Sequence, residues 1–236
     1  MTAADPDGLT AWQLALQLGR TDTARLLISK LDIKSLDGGA HPLVSAATGG
    51  HTDIMAYLLS RGCPPDAVDG DGHTALEAAA SNNDVEALSL LLANGADVDA
   101  RDNQGMTAIL AAVAGNNREA IRVLANKGAD VNIGSVDGLT PLMTAVLIGA
   151  DDVVSLMIAK GADVNKIDAK GRSPLMMAAI VGHEECARLL IDRGADVSIK
   201  DVNGRTALMI ADQNGYQEIM TLLGQPAENP NRGQSI

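Results

Sequence analysis

Short apolar clusters at helical spacing, punctuated by hydroxyl residues and glycines, recur along almost the whole chain. Over 135–167, Leu142, Ala145 and Val146 fall at i, i+3 and i+4, which is one face of a short helix. Thr140 suits the N-cap, and Pro141 suits the first helical position, where a missing N–H costs nothing. Gly149 ends this helix. A second helix is predicted from about Asp151, with Val153, Leu156 and Met157 as its buried stripe and Gly161 closing it. The same pattern gives Leu76, Ala79, Ala80 with Ala87, Leu90, Leu91, and Leu175, Ala178, Ala179 with Cys186, Leu189, Leu190.

These pairs are in strict phase. A hydroxyl or His opening a first helix returns at Thr10, His41, Thr74, Thr107, Thr140, Ser173 and Thr206, in steps of 31 and then 33 residues. Gly-Ala-Asp-Val recurs at Gly95, Gly128, Gly161 and Gly194, with an echo at Gly62-Cys63-Pro64-Pro65. A period of this length predicts a solenoid, because one repeat cannot bury its apolar face alone and must stack on neighbours. The expected fold is all-α, with seven helix-turn-helix repeats and projecting turn tips. Their bounds are about 5–35, 36–68, 69–101, 102–134, 135–167, 168–200 and 201–224, forming one array over 1–224. A tail over 225–236, rich in Pro, Asn, Gly and Gln, is predicted to be disordered. The first and last repeats are expected to serve as caps, the first carrying Leu31-Asp32-Ile33 in place of the glycine marker.

Composition narrows the function. The chain of 236 residues has no Phe, one Trp and two Tyr, which predicts a thin aliphatic core of closely approaching helices. A net charge of −12 argues against nucleic acid or an anionic membrane as the main partner. No long apolar run or leader-like start is seen, and Cys63 and Cys186 lie about four repeats apart, too far to pair. A cytoplasmic monomer without cofactors is the expectation.

Motifs of catalysis are not found. The run Asp66 to Gly72 resembles a calcium loop, but counting from Asp69 puts His73 fifth, Thr74 sixth and Ala80 twelfth, so the register fails. His41, His51, His73 and His183 show no metal-ligand spacing. Asp97, Asp130, Asp163 and Asp196 repeat in phase, as turn-forming residues do, and are too far apart for a catalytic pair.

The two markers resemble those of the ankyrin-repeat family. Thr140-Pro141-Leu142, Ser173-Pro174-Leu175, Gly50-His51, Gly182-His183 and the Gly-Ala-Asp-Val-Asn runs at 128–132 and 161–165 carry the match, which extends over about 5–224. The resemblance implies L-shaped repeats in a curved array, with turn tips and first helices lining a concave face that binds another protein. A scaffold, adaptor or inhibitor role is implied; the alternative is a regulatory array belonging to a larger enzyme or signalling protein. It also implies that Asn132 and Asn165 match the turn asparagine that asparaginyl hydroxylases modify. The His that usually ends the Thr-Pro-Leu-His run is replaced throughout, by Gln13, Val44, Glu77, Leu110, Met143, Met176 and Met209.

Candidate partner-binding residues come from positions that the repeat leaves free. Between positions 62 and 100 lie eight acidic residues and no Lys or Arg; Asp69, Asp71 and Glu77 are expected to face a partner with a basic patch. Lys170, Arg172 and Arg205 lie in a basic set of turn tips near the C-terminal end. Repeats three and seven end their first helices with Ser81, Asn82 and with Gln213, Asn214. Repeats five and six instead carry Leu147, Ile148 and Ile180, Val181, with Val136 and Leu139 on the adjoining turn and adaptable Met side chains nearby. These apolar residues are the expected docking patch; the bland reading is that they fill space between first helices.

Overall fold

In the computed structural model, which describes residues 10–30 and 41–224, helix pairs form in all seven repeats. The described residues fall into two compact blocks, divided between Asp130 and Val131. The first block holds α1 (Ala11–Gln17), α2 (Thr21–Ile28), α3 (Pro42–Thr48), α4 (Thr52–Ser60), α5 (Ala75–Ser81), α6 (Val85–Ala93), α7 (Ala108–Ala114) and α8 (Arg118–Asn126). The second holds α9 (Pro141–Leu147), α10 (Asp151–Ala159), α11 (Pro174–Val181), α12 (Glu184–Asp192), α13 (Ala207–Asn214) and α14 (Gln217–Gly224). The predicted tail and the Leu31-Asp32-Ile33 variant lie outside the described residues.

First helices are short because both of their ends are fixed by local chemistry. At Thr74, Thr107, Thr140, Ser173 and Thr206 the hydroxyl accepts the N–H three residues on, at 3.1–3.3 Å. His41 does the same work through Nδ1, which accepts from Leu43 N at 3.2 Å. Past the C-terminus, Gly149 and Gly182 take left-handed φ values of 68° and 80°, while Asn83 and Asn116 adopt 54° and 53° at the equivalent places.

Within the first block α1, α3, α5 and α7 pack in order, backed by α2, α4, α6 and α8; within the second, α9, α11 and α13 are backed by α10, α12 and α14. Leu76, Leu91, Leu142, Leu175 and Leu190 are all buried, as the pattern predicts. Ala75, Ala79, Ala80, Ala108, Ala112, Ala178 and Ala179 line the first helices and let them approach closely. Antiparallel bridges Val68–Thr74 and Arg101–Thr107 close two turn tips, and no strand forms among the described residues.

One expectation needs correcting. In the second helices the buried set is i, i+1 and i+4: Ala87, Leu88, Leu91; Val153, Val154, Met157; and Cys186, Ala187, Leu190. Leu90, Leu156 and Leu189, predicted to be buried, are only half-buried. A second helix packs on its own first helix and also on second helices beside it, so its covered face is rotated toward those neighbours. The terminal repeats, expected as caps, leave Leu26 and Met209 exposed because their outward faces have no neighbouring helix among the described residues.

Candidate partner-binding surfaces

The apolar candidates lie at both ends of α9 and at the C-terminal end of α11. Val136, on the turn before α9, is 68% exposed, and Ile148, its C-cap, is 42% exposed. Leu139, Leu147, Ile180 and Val181 are half-buried. Met143 and Met176 are fully buried, so they cannot meet a partner; only Met209, in the last first helix, is exposed. The reason is positional: the third helical residue faces the neighbouring first helix, and among the described residues α13 has no such neighbour beyond it.

Ile148 and Val181 occupy a place that other repeats use differently. Asn82 Nδ2 donates to the carbonyls of Ala47 and Thr48 at 3.0 and 2.9 Å. Asn214 Nδ2 donates to those of Ala179 and Ile180 at 3.2 and 3.4 Å. Each thus satisfies carbonyls at the open end of the preceding first helix. An aliphatic side chain at the same position forgoes both bonds, worth about 0.5–1.5 kcal/mol each. Ile148 gains little burial in exchange.

Among the basic candidates, Lys170 is exposed, but two arginines are spent on the turns that carry them. Arg172 pairs with Asp168 Oδ2 at 2.6 Å through one terminal nitrogen and at 2.7 Å through Nε. Arg205 pairs likewise with Asp201, at 2.8 and 2.9 Å. The other oxygen of each aspartate accepts two backbone N–H groups, from Lys170 and Arg172 and from Asn203 and Arg205. These forks neutralise much of the positive charge expected there.

In the first block Asp69 and Glu77 gather around His73, while Asp71 joins the hydrogen bonding only through its backbone N–H. Asp69 Oδ1 accepts the N–H groups of Asp71 and His73 at 3.0 and 2.9 Å, and Oδ2 meets His73 Nδ1 at 3.2 Å. His73 Nε2 faces Asp102 Oδ2 at 3.6 Å. Glu77, in the first turn of α5, joins them with one oxygen buried and without a hydrogen-bond partner. Burial, with help from the charge of Asp102, pushes the Glu77 carboxyl up to about 7, against the pull of His73. For His73, burial acts downward, but the hydrogen bond to Asp69 and the charges of Glu77, Asp69 and Asp102 hold it above its ordinary value. Asp71 alone of the three acidic candidates is exposed.

The linear spacing singled out neither Asp102 nor a metal-ligand set at His73; the structure places donor atoms of His73, Glu77 and Asp102 within 4.8 Å of one another. Two signals were available: His73 and Glu77 are four apart across a helix start, and Asp102 lies one period beyond Asp69. His51, by contrast, has the structural place expected of it, with Nε2 3.0 Å from the Leu16 carbonyl.

The family model described as ankyrin repeats (3 copies) matches residues 1–69, 31–102, 76–168 and 142–233, so the chain belongs to the ankyrin-repeat family. Among solved structures it is similar to the ankyrin repeat domain of Bcl-3, described as a unique member of the IkappaB protein family. That likeness has a TM-score of 0.74 and 28% identity, and covers 91% of this chain and 99% of that one. No curated protein matches the sequence. Family and fold together make this a protein-interaction module. No helix among the described residues is long and apolar enough to cross a membrane.

Proposed function

We propose that the chain is a non-catalytic scaffold, adaptor or inhibitor that docks one partner protein on repeats five and six. Ile148 and Val136 are the anchors, with Leu139, Leu147, Ile180 and Val181 as the half-buried floor and Lys170 at the margin. The observation that carries this reading is Ile148: it replaces a residue type that elsewhere ties helix ends together, and it leaves its apolar surface in water. Contiguous exposed apolar surface marks contact sites in soluble proteins, and Val136 and Ile148, with the half-buried residues between them in sequence, are taken as one such patch. Taken by itself, the exposed Asp71 of the first block would attract a basic segment of a partner, and two buried free cysteines suit a reducing, cytoplasmic setting.

The test is Val136→Asp with Ile148→Asp, chosen because both residues are exposed, against Leu147→Asp with Ile180→Asp, which also disturbs packing. Partners are captured on the native chain and identified by mass spectrometry, then re-measured by titration. Loss of at least tenfold in affinity with an unchanged melting curve supports the site; undiminished affinity in the exposed pair removes it. Sedimentation of the free chain should give the monomer mass.

A further inference from the structure

The grouping around His73 has a composition that partner binding does not explain. It joins an imidazole to carboxylates from two successive repeats: His73 from the turn before α5, Glu77 from the first turn of α5, and Asp102 from the next turn tip. We propose that His73 Nε2, Glu77 and Asp102 bind a divalent transition-metal ion of the zinc type.

Three independent features support this assignment. The first is the orphan oxygen: Glu77 Oε2 is buried and has no hydrogen-bond partner, an arrangement that costs stability unless something positive faces it. The second is the orientation of the ring. Asp69 Oδ2, 3.2 Å from Nδ1, is placed to accept a proton on that nitrogen, so that an ion displacing the proton from Nε2 would find this nitrogen 3.6 Å from Asp102 Oδ2. A carboxylate behind a metal-binding histidine is the usual supporting arrangement for zinc. The third is how Asp102 is used. Its side chain is almost wholly buried, and Oδ1 is committed to the N–H groups of Gln104 and Met106, at 2.8 and 2.7 Å; Oδ2 remains for the ion.

Distances fit with small adjustment. Zinc bonds of about 2.0–2.2 Å in a tetrahedron put ligand atoms roughly 3.3–3.6 Å apart. His73 Nε2 and Asp102 Oδ2 stand at 3.6 Å, and all three donors lie within 4.8 Å. The imidazole is partly open to solvent, which supplies an entry route and water as a fourth ligand. The donor set disfavours calcium and magnesium, which want six or more oxygens. A grouping of Asp69, Asp71 and His73 also lies within 4.8 Å, but both oxygens of Asp69 are already engaged by N–H groups. Bound metal would tie repeat three to repeat four through side chains, in addition to their helix contacts.

Equilibrium dialysis of the full chain against Zn2+, read by metal analysis, tests the site, and Co2+ absorption reports its coordination. The expected result is a single equivalent of Zn2+, not displaced by Mg2+, with a tetrahedral Co2+ spectrum. His73→Ala and Glu77→Gln should each weaken binding at least tenfold. Asp69→Asn keeps the Oδ1 turn bonds but loses the acceptor for Nδ1–H, and should weaken binding about 10–100-fold. Glu77→Gln is a neutral isostere expected to keep the metal-free fold; an unchanged melting curve without metal shows that its loss of binding is not due to unfolding. A chain that takes up no Zn2+, or takes it up equally in His73→Ala and Glu77→Gln, overturns the proposal.

Discussion

Asn132 Oδ1 accepts the backbone N–H of Asp163 at 2.8 Å, while its Nδ2 donates to the Gly161 carbonyl at 3.0 Å. One side chain thereby ties its own turn to the next. The same link recurs one period on, from Asn165 to Asp196 at 2.7 Å and to Gly194 at 3.3 Å. Asp99 makes only the acceptor half, to Asp130 N at 2.9 Å.

Asn132→Ala is therefore expected to lower stability by about 1–2 kcal/mol, the sum of two modest neutral hydrogen bonds at an exposed place. Asn132→Asp keeps the acceptor and should lose about half of that. Urea unfolding of the three chains measures it; equal stability of all three would show that water replaces the link at no cost.

Leu175→Ala should cost about 2–5 kcal/mol, because Leu175 is buried in α11 between α9, α12 and α13 and its removal leaves a cavity. A smaller loss in chemical denaturation would mean that the neighbouring helices collapse into the gap.

Gly182 takes φ 80°, and a methyl group there would lie 2.6 Å from Tyr216 Cε1. Gly182→Ala is expected to cost roughly 2–3 kcal/mol, from left-handed strain plus overpacking. The overpacking part should vanish in a Tyr216→Ala background. If Gly182→Ala costs the same in both backgrounds by thermal melts, the ring does not confine the turn.

His41 is buried at the start of α3, and burial lowers its pKa below the ordinary 6.5. In the fold its neutral Nδ1 accepts the Leu43 N–H. A lowered folded-state pKa means that the unfolded chain binds the extra proton first, so this contribution is complete above 6.5 and is lost as pH falls through the folded value. His73, whose pKa is raised, contributes with the opposite sign, its part being lost as pH rises. Subtracting a His41→Thr chain, which keeps an N-cap acceptor that does not titrate, removes that background. Native stability should fall more steeply than that of His41→Thr between pH 7 and 5.5 in urea titrations; parallel curves would refute the buried neutral imidazole.

The repeat, its helix pairs and most of the core were readable because each depends on neighbours within one period. A hydroxyl three residues before an N–H, or a glycine where φ must be positive, is a local requirement, and Thr140, Ser173 and Gly182 satisfy it wherever they stand in the array. What the sequence did not decide was which side of a helix is covered by a neighbour one period away. Leu90, Leu156 and Leu189 read as core and are half-buried; Met143 and Met176 read as partner contacts and are buried. Arg172 and Arg205 read as free charge and are forked onto Asp168 and Asp201. Likewise, the spacing of His73 and Glu77 and the one-period step from Asp69 to Asp102 hinted at a grouping, but these residues meet only when one turn tip stacks on the next. Period and local capping are properties of the chain alone, whereas burial and charge pairing belong to the stack.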